Sequence, residues 1–212
     1  MAEIFKDDYI IKKCKNKKVL HIGACDSPYH IKKAKNGELL HQKLNNSTKE
    51  LVGIDFDKKS IKELKKFNIN NIFFSDITKP LNLKDSNFDI IIFGDVLEHL
   101  SNPGLALKNL SSIMKKTTRL IITVPNCYCY FNIFNIFAQK ENVHPDHVFW
   151  TSKQTMVNLL QRYCFDIQKI KYLNFGSKQD KITLKGRVFR SVILNHIPKI
   201  RNVLYFEVKI RK

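Results

Sequence analysis

The side chains of this sequence best suited to chemistry are three histidines and a series of acids. His144-Pro145-Asp146-His147 puts two imidazoles and a carboxylate within four residues, and Asp95-Val96-Leu97-Glu98-His99 adds a third imidazole beside two acids. Imidazole titrates near neutrality, so each histidine is a candidate general base for taking a proton from a hydroxyl. The order of preference is His144, His147, His99, since Pro145 fixes the backbone beside the first. A structural His–Asp hydrogen bond at 144–147 and a capping role for His99 are the competing readings. A zinc centre needs a further ligand cluster at metal spacing. The sequence offers none, so no metal site is expected.

A second group of residues falls at the ends of short apolar runs. KVLHIG is followed by Ala24-Cys25-Asp26-Ser27, and its terminal Gly23 permits close backbone approach to a ligand, though a plain strand-to-helix turn needs a glycine equally. ELVGID ends in Asp55, an acceptor-only group suited to a ribose diol, with Phe56 next to it. The helix cap there falls to Asp57. Asp76 could accept from an exocyclic amine while Ile77 covers a purine face, or Asp76 could be a surface turn residue.

These positions require strands that end at one edge. The runs at 18–23, 50–55, 71–76, 88–95 and 119–124 are rich in β-branched residues and mostly lack strict alternation, as strands buried on both faces do. Helical patterns lie between them. Asp57 opens one with Ile61 and Leu64; Asn102-Pro103 opens another with Ala106, Leu107, Leu110, Ile113 and Met114; Thr151 with Gln154 resembles a capping box before Met156, Leu159, Leu160 and Tyr163. The runs 166–175 and 203–210 alternate better and are expected to close the sheet as a pair. The prediction is an α/β fold: a single domain over 1–212 with a doubly wound, mostly parallel seven-stranded sheet and an antiparallel last strand. Residues 1–17 supply an amino-terminal helix, and the aromatic insertion 126–150 forms a wall of the acceptor site. Within it, the spacing Ile133–Phe134–Phe137 predicts a helix face packed on the core; ring stacking on a ligand is the alternative.

Composition narrows the function. The net charge is +18, yet 31 of the 37 basic residues are lysine, accompanied by 19 asparagines and 25 isoleucines. That is the composition of an AT-rich genome, and a solvated lysine surface explains most of it. Residues 151–212 nonetheless hold 14 basic and 3 acidic side chains, which suits an anionic acceptor. No arginine-rich tract or separate RNA-binding module occurs, so nucleic acid is not the expected partner. No apolar stretch reaches membrane-spanning length, and MAEIFKDDYIIKKCKNKK lacks the apolar core of an export signal. Five cysteines without CxxC spacing read as free thiols, and the expected location is cytoplasmic.

Taken together and in this order, VLHIGACDSP, LVGIDFD, FFSDI, FDIIIFGDVLEHLSNPG, RLIITVPN and HPDHVFWTSKQTMVNLLQRYCFDI resemble the class I S-adenosylmethionine-dependent methyltransferases over Lys18–Phe165. The closest likeness is to the branch of sugar and surface-polysaccharide biosynthesis. The resemblance implies a Rossmann-like methyltransferase fold and S-adenosyl-L-methionine as cofactor. Gly23 would admit its methionine portion, Asp55 with Phe56 would hold the ribose side, Asp76 and Ile77 would frame the adenine, and Asp95 would lie near the methionine end or the acceptor. The family's first-strand acid is His21 here, and its later loop glycines are Cys25 and Ser27. The absence of an Asn/Asp-Pro-Pro-Tyr signature argues against methylation of nucleobase amines. The implied activity is O-methylation of a sugar, nucleotide-sugar, phosphate-type or related small glycan precursor for surface polysaccharide. The alternatives are RNA methylation, a nicotinamide dehydrogenase, disfavoured by the missing GxGxxG, and a non-catalytic module on the same fold.

Overall fold

The computed structural model describes residues 4–81, 83, 87–176 and 190–211. Along the chain come α1 (Lys6–Cys14), β1 (Lys18–Ile22), α2 (His30–Lys35), α3 (Leu40–Asn45), β2 (Glu50–Asp55), α4 (Lys58–Leu64), β3 (Ile72–Phe74), β4 (Ile90–Gly94), α5 (Pro103–Ile113), β5 (Arg119–Pro125), α6 (Tyr130–Phe137), α7 (Lys153–Arg162), β6 (Phe165–Leu173) and β7 (Val203–Ile210). The strands form one seven-stranded sheet in the order β3-β2-β1-β4-β5-β7-β6. The first five are mutually parallel, and β7 runs antiparallel between β5 and β6. The expected α/β, doubly wound sheet is therefore present, with its carboxy-terminal pair closing one end. The order reverses between β1 and β4, and ligands of open α/β sheets bind in the crevice at such a point.

Period-two alternation sorts each strand's residues between two cores. Leu20, Ile22, Ile91, Phe93, Leu120 and Ile122 pack with Leu107 and Leu110 of α5 and with Met156 and Leu160 of α7. Val19, Ile90, Ile92 and Ile121 point the other way, onto Ile10 and Cys14 of α1 and Leu44 of α3. This two-sided burial is why these strands read as continuous apolar runs.

Two helix starts follow the expected caps. Asp57 Oδ1 accepts from Lys59 N and Ser60 N at 2.9 and 3.2 Å, and Asn102 Oδ1 accepts from Leu105 N at 3.0 Å. The third is shifted by one residue. Ser152 caps α7 in a box with Thr155, while Thr151 is buried and its hydroxyl donates to Pro125 O at 2.6 Å. The expected packed face at Phe134–Phe137 is also corrected. No residue of α6 is buried, and Phe134 and Phe137 are 60 % and 83 % exposed. Periodicity made the helix, but among the described residues no element covers its apolar side. Among the described residues no helix is long and apolar enough to cross a membrane.

Candidate active site

Parallel register carries successive strand ends to one edge. Gly23 follows β1 in a left-handed conformation (φ +73°), and its N–H donates to Ile54 O of β2 at 3.0 Å. A Cβ at this position would run into the Val96 side chain beyond β4, so the chain needs glycine there on both counts. Asp55 closes β2 and is 8 % exposed. Its Oδ2 accepts from Cys25 N at 2.9 Å and its Oδ1 from Asp57 N at 3.0 Å. Each oxygen keeps acceptor capacity beyond that one bond, so the carboxylate both pins the β1 loop and can receive a diol. Phe56 lies beside it, 76 % exposed, an uncovered aromatic face.

One strand further out, Ser75 N donates to Asp55 O at 2.9 Å and leads into Asp76. Asp76 Oδ1 accepts from both the amide and the hydroxyl of Thr78, at 2.9 and 2.6 Å, and these bonds hold the acid below the usual carboxylate range. Ile77 is buried, and its carbonyl accepts from Asn109 Nδ2 at 2.9 Å. This pair thus serves the turn as well as the edge.

Asp95 at the end of β4 has φ +52°, a conformation that aspartate tolerates better than most residues. Its N–H donates to Thr123 O at 2.8 Å and its Oδ1 accepts from Thr123 Oγ1 at 3.0 Å. The other oxygen pairs with Lys6 Nζ from α1. Burial opposes ionisation, but the Lys6 ammonium and the Thr123 hydroxyl outweigh it and hold Asp95 below the usual range. Lys6 itself is raised above the ordinary lysine value, because Asp95, Asp7 and Asp26 together overcome its desolvation. Sequence reasoning missed Lys6: one lysine among 31 carries no signal, and its partner is 89 residues away.

The three histidines meet. His99 lies with His147 at 4.7 Å between ring centroids and with His144 at 5.8 Å, while His144 and His147 are 5.2 Å apart. His99 Nδ1–H donates to Asp146 O at 3.2 Å, and Val148 N donates to Glu98 O at 3.0 Å, so the loop from the insertion is tied to the turn after β4. The expected His–Asp contact exists in weak form, with Asp146 N donating to His144 Nδ1 at 3.3 Å and the carboxylate 3.8 Å from that nitrogen. The sequence showed no further ligand cluster beside 144–147; the fold supplies one more imidazole, from His99. Next to it Glu98 is 1 % exposed, and neither carboxylate oxygen has a hydrogen-bond partner. Desolvation and, after it, the Asp95 charge push Glu98 up to about 9.

The first-strand position that would carry an acid is His21, buried with its Nδ1 3.2 Å from His41 Nδ1. No ammonium-binding carboxylate is present at that position. Asp55 and Asp76 nonetheless present carboxylates at neighbouring strand ends, with the exposed Phe56 ring beside Asp55.

The same architecture occurs in solved structures. An S-adenosylmethionine-dependent methyltransferase from Aquifex aeolicus superposes with a TM-score of 0.59 at 13 % identity, covering 98 % of this chain and 90 % of that one. Another from Archaeoglobus fulgidus gives 0.58 at 21 % identity, covering 96 % and 94 %. A Haloferax volcanii methyltransferase, solved in complex with the Trm112 methyltransferase activator, gives 0.62 at 12 % identity, covering 97 % and 88 %. Among curated proteins no sequence matches the chain. A methyltransferase domain family matches residues 13–183, most of the length. With the sheet order, the strand-tip residues and this match in agreement, the chain belongs to the methyltransferase domain family and is an S-adenosylmethionine-dependent methyltransferase.

Proposed function

We propose that the enzyme methylates an oxygen of a sugar, nucleotide-sugar, phosphate-type or related small glycan precursor of surface polysaccharide. The observation that carries this reading is the grouping of His99, His144 and His147 beyond the tip of β4, where Asp95 also stands. When bound, S-adenosylmethionine supplies a methyl on a positively charged sulfur, open to in-line displacement. The protein's part is to align the acceptor and to handle its proton. Asp55 and Phe56 take the ribose side, Asp76 and Ile77 the adenine, and Gly23 and Asp95 border the methionine end. The histidine cluster, His99, His144 and His147, promotes loss of the acceptor's proton. The exposed rings of Phe131, Phe134 and Phe137 on α6 offer flat apolar faces for a sugar.

The net charge of +18 favours a second acceptor class, RNA. One assay separates the two. The enzyme is incubated with S-adenosylmethionine and panels of nucleotide-sugars, sugar phosphates and short RNAs, and demethylated cofactor is measured together with the mass of each acceptor. Methyl gain on a sugar or phosphate acceptor supports the proposal; methyl gain on RNA alone rejects it.

A further inference from the structure

The histidine cluster has a feature that a base alone does not require. One imidazole suffices for proton removal, yet three converge, with one ligand-capable atom from each lying within 4.8 Å of the others. His99 is exposed and the other two are half-buried, so small ring rotations are sterically open. A tetrahedral ion with bonds of about 2.0–2.1 Å to nitrogen needs such a set drawn in by about an ångström.

The polar surroundings fit a ligand role. His99 Nδ1–H is engaged by the Asp146 carbonyl, which leaves the Nε2 lone pair free and orients the ring, as outer-shell carbonyls do at metal centres. His144 Nδ1 receives only the 3.3 Å contact from Asp146 N, a bond a coordinated ring can give up. The Asp146 carboxylate stands 3.8 Å from His144 Nδ1, where it offsets part of a cation's charge.

We infer that His99, His144 and His147 form a binding site for one divalent transition-metal ion of the zinc type, with a fourth position open toward the acceptor. Three imidazoles select zinc and its neighbours over magnesium or calcium, which favour oxygen ligands. Three protein ligands plus an open position is the arrangement of reactive rather than structural zinc. The open position would hold the acceptor oxygen and ease loss of its proton to solvent. That role rests on the oxygen-acceptor reading above; the binding itself does not. It also departs from the sequence expectation of no metal, because the third ligand is distant along the chain.

The test is titration of the full chain, stripped with chelator, with Zn²⁺ by calorimetry and with Co²⁺ by visible absorption. The expected result is one ion per chain and a tetrahedral Co²⁺ spectrum. Each of His99→Ala, His144→Ala and His147→Ala should weaken binding by more than about 100-fold, beyond what outer-shell changes cause. Circular dichroism and cofactor calorimetry on the same variants verify that they fold. Absence of stoichiometric binding overturns the inference, as does binding that survives loss of two imidazoles. Zinc bound at the triad with no methyl transfer to any oxygen acceptor supports the site and rejects only the acceptor reading. Transfer to a sugar by a chain that binds no ion does the opposite.

Discussion

Lys6 of α1 and Asp95 at the tip of β4 form an ion pair that joins the amino-terminal helix to the candidate active site. The Lys6 side chain is 11 % exposed and that of Asp95 27 %, so water screens the pair only in part. Phe175 adds a ring 4.6 Å from the Lys6 ammonium, and the neighbouring Phe5 bridges to Asn174. The helix thereby fixes which way the Asp95 carboxylate points.

Lys6→Met is expected to destabilise the fold by about 1–3 kcal/mol. That is below the 3–5 typical of a fully buried pair, because Asp95 keeps some contact with water. Denaturant titration measures it. The double variant with Asp95→Asn should recover part of the loss, since the stranded charge is then gone. Full additivity of the two changes would exclude coupling.

Asp55→Ala removes both a diol acceptor and the anchor of Cys25 N. We expect a loss of about 1–3 kcal/mol in S-adenosylmethionine binding, read by calorimetry on a variant shown to be folded. Unchanged affinity would exclude Asp55 from the cofactor site.

Acid should weaken the fold through His21 and His41, which are 4 % and 1 % exposed. Burial first, then the charges of His41 and Lys6, drive His21 well below the ordinary imidazole value. Burial takes His41 from 6.5 to about 4, against a hydrogen bond to Asn71. Both native values are depressed, so the unfolded chain binds protons more readily. The stability is fully present above about pH 6.5 and is lost as pH falls toward 4, with His41 alone accounting for about 3 kcal/mol. Unfolding free energies between pH 7.5 and 4 check this, and His41→Gln should flatten the slope.

Gly104 sits in the first turn of α5 where any Cβ would meet the Tyr163 ring. Gly104→Ala is expected to lower stability by about 1–3 kcal/mol through overpacking. Adding Tyr163→Leu should relieve much of it. Equal thermal midpoints for wild type and Gly104→Ala would show that the ring moves aside freely.

Phe137→Ser removes an 83 % exposed ring and should change stability by less than about 0.5 kcal/mol. If α6 lines the acceptor site, KM for the acceptor rises while cofactor affinity stays constant. A KM that does not move would detach α6 from acceptor binding.

The frame was legible because both of its signals are local. Ile90-Ile91-Ile92-Phe93 announces a strand covered on two faces, and Asp57 and Asn102 announce helix starts through their own hydrogen bonds. Contacts that depend on how elements meet were not legible. His99 and His147 are far apart in sequence, and hydrogen bonds from Val148 N to Glu98 O and from His99 Nδ1 to Asp146 O bring their loops together. The periodicity of Phe134 and Phe137 specifies a helix face, but not whether another element covers it. Thr151 and Ser152 are both fit to cap α7, and the choice falls to Ser152 because the Pro125 carbonyl captures the Thr151 hydroxyl.

The placement of β7 has a consequence for how the chain is made. Both β5 and β6 use β7 as a sheet neighbour, and among the described residues β6 has no other. During synthesis β5 and β6 leave the ribosome first and must wait for Val203–Ile210. Until then the growing sheet ends on the bare edge of β5, a template for pairing with another nascent chain. A stop codon or protease cut before residue 203 would strand β6 and leave that edge open permanently. Such fragments should accumulate as insoluble material even though the residues proposed to hold the cofactor are all present in them.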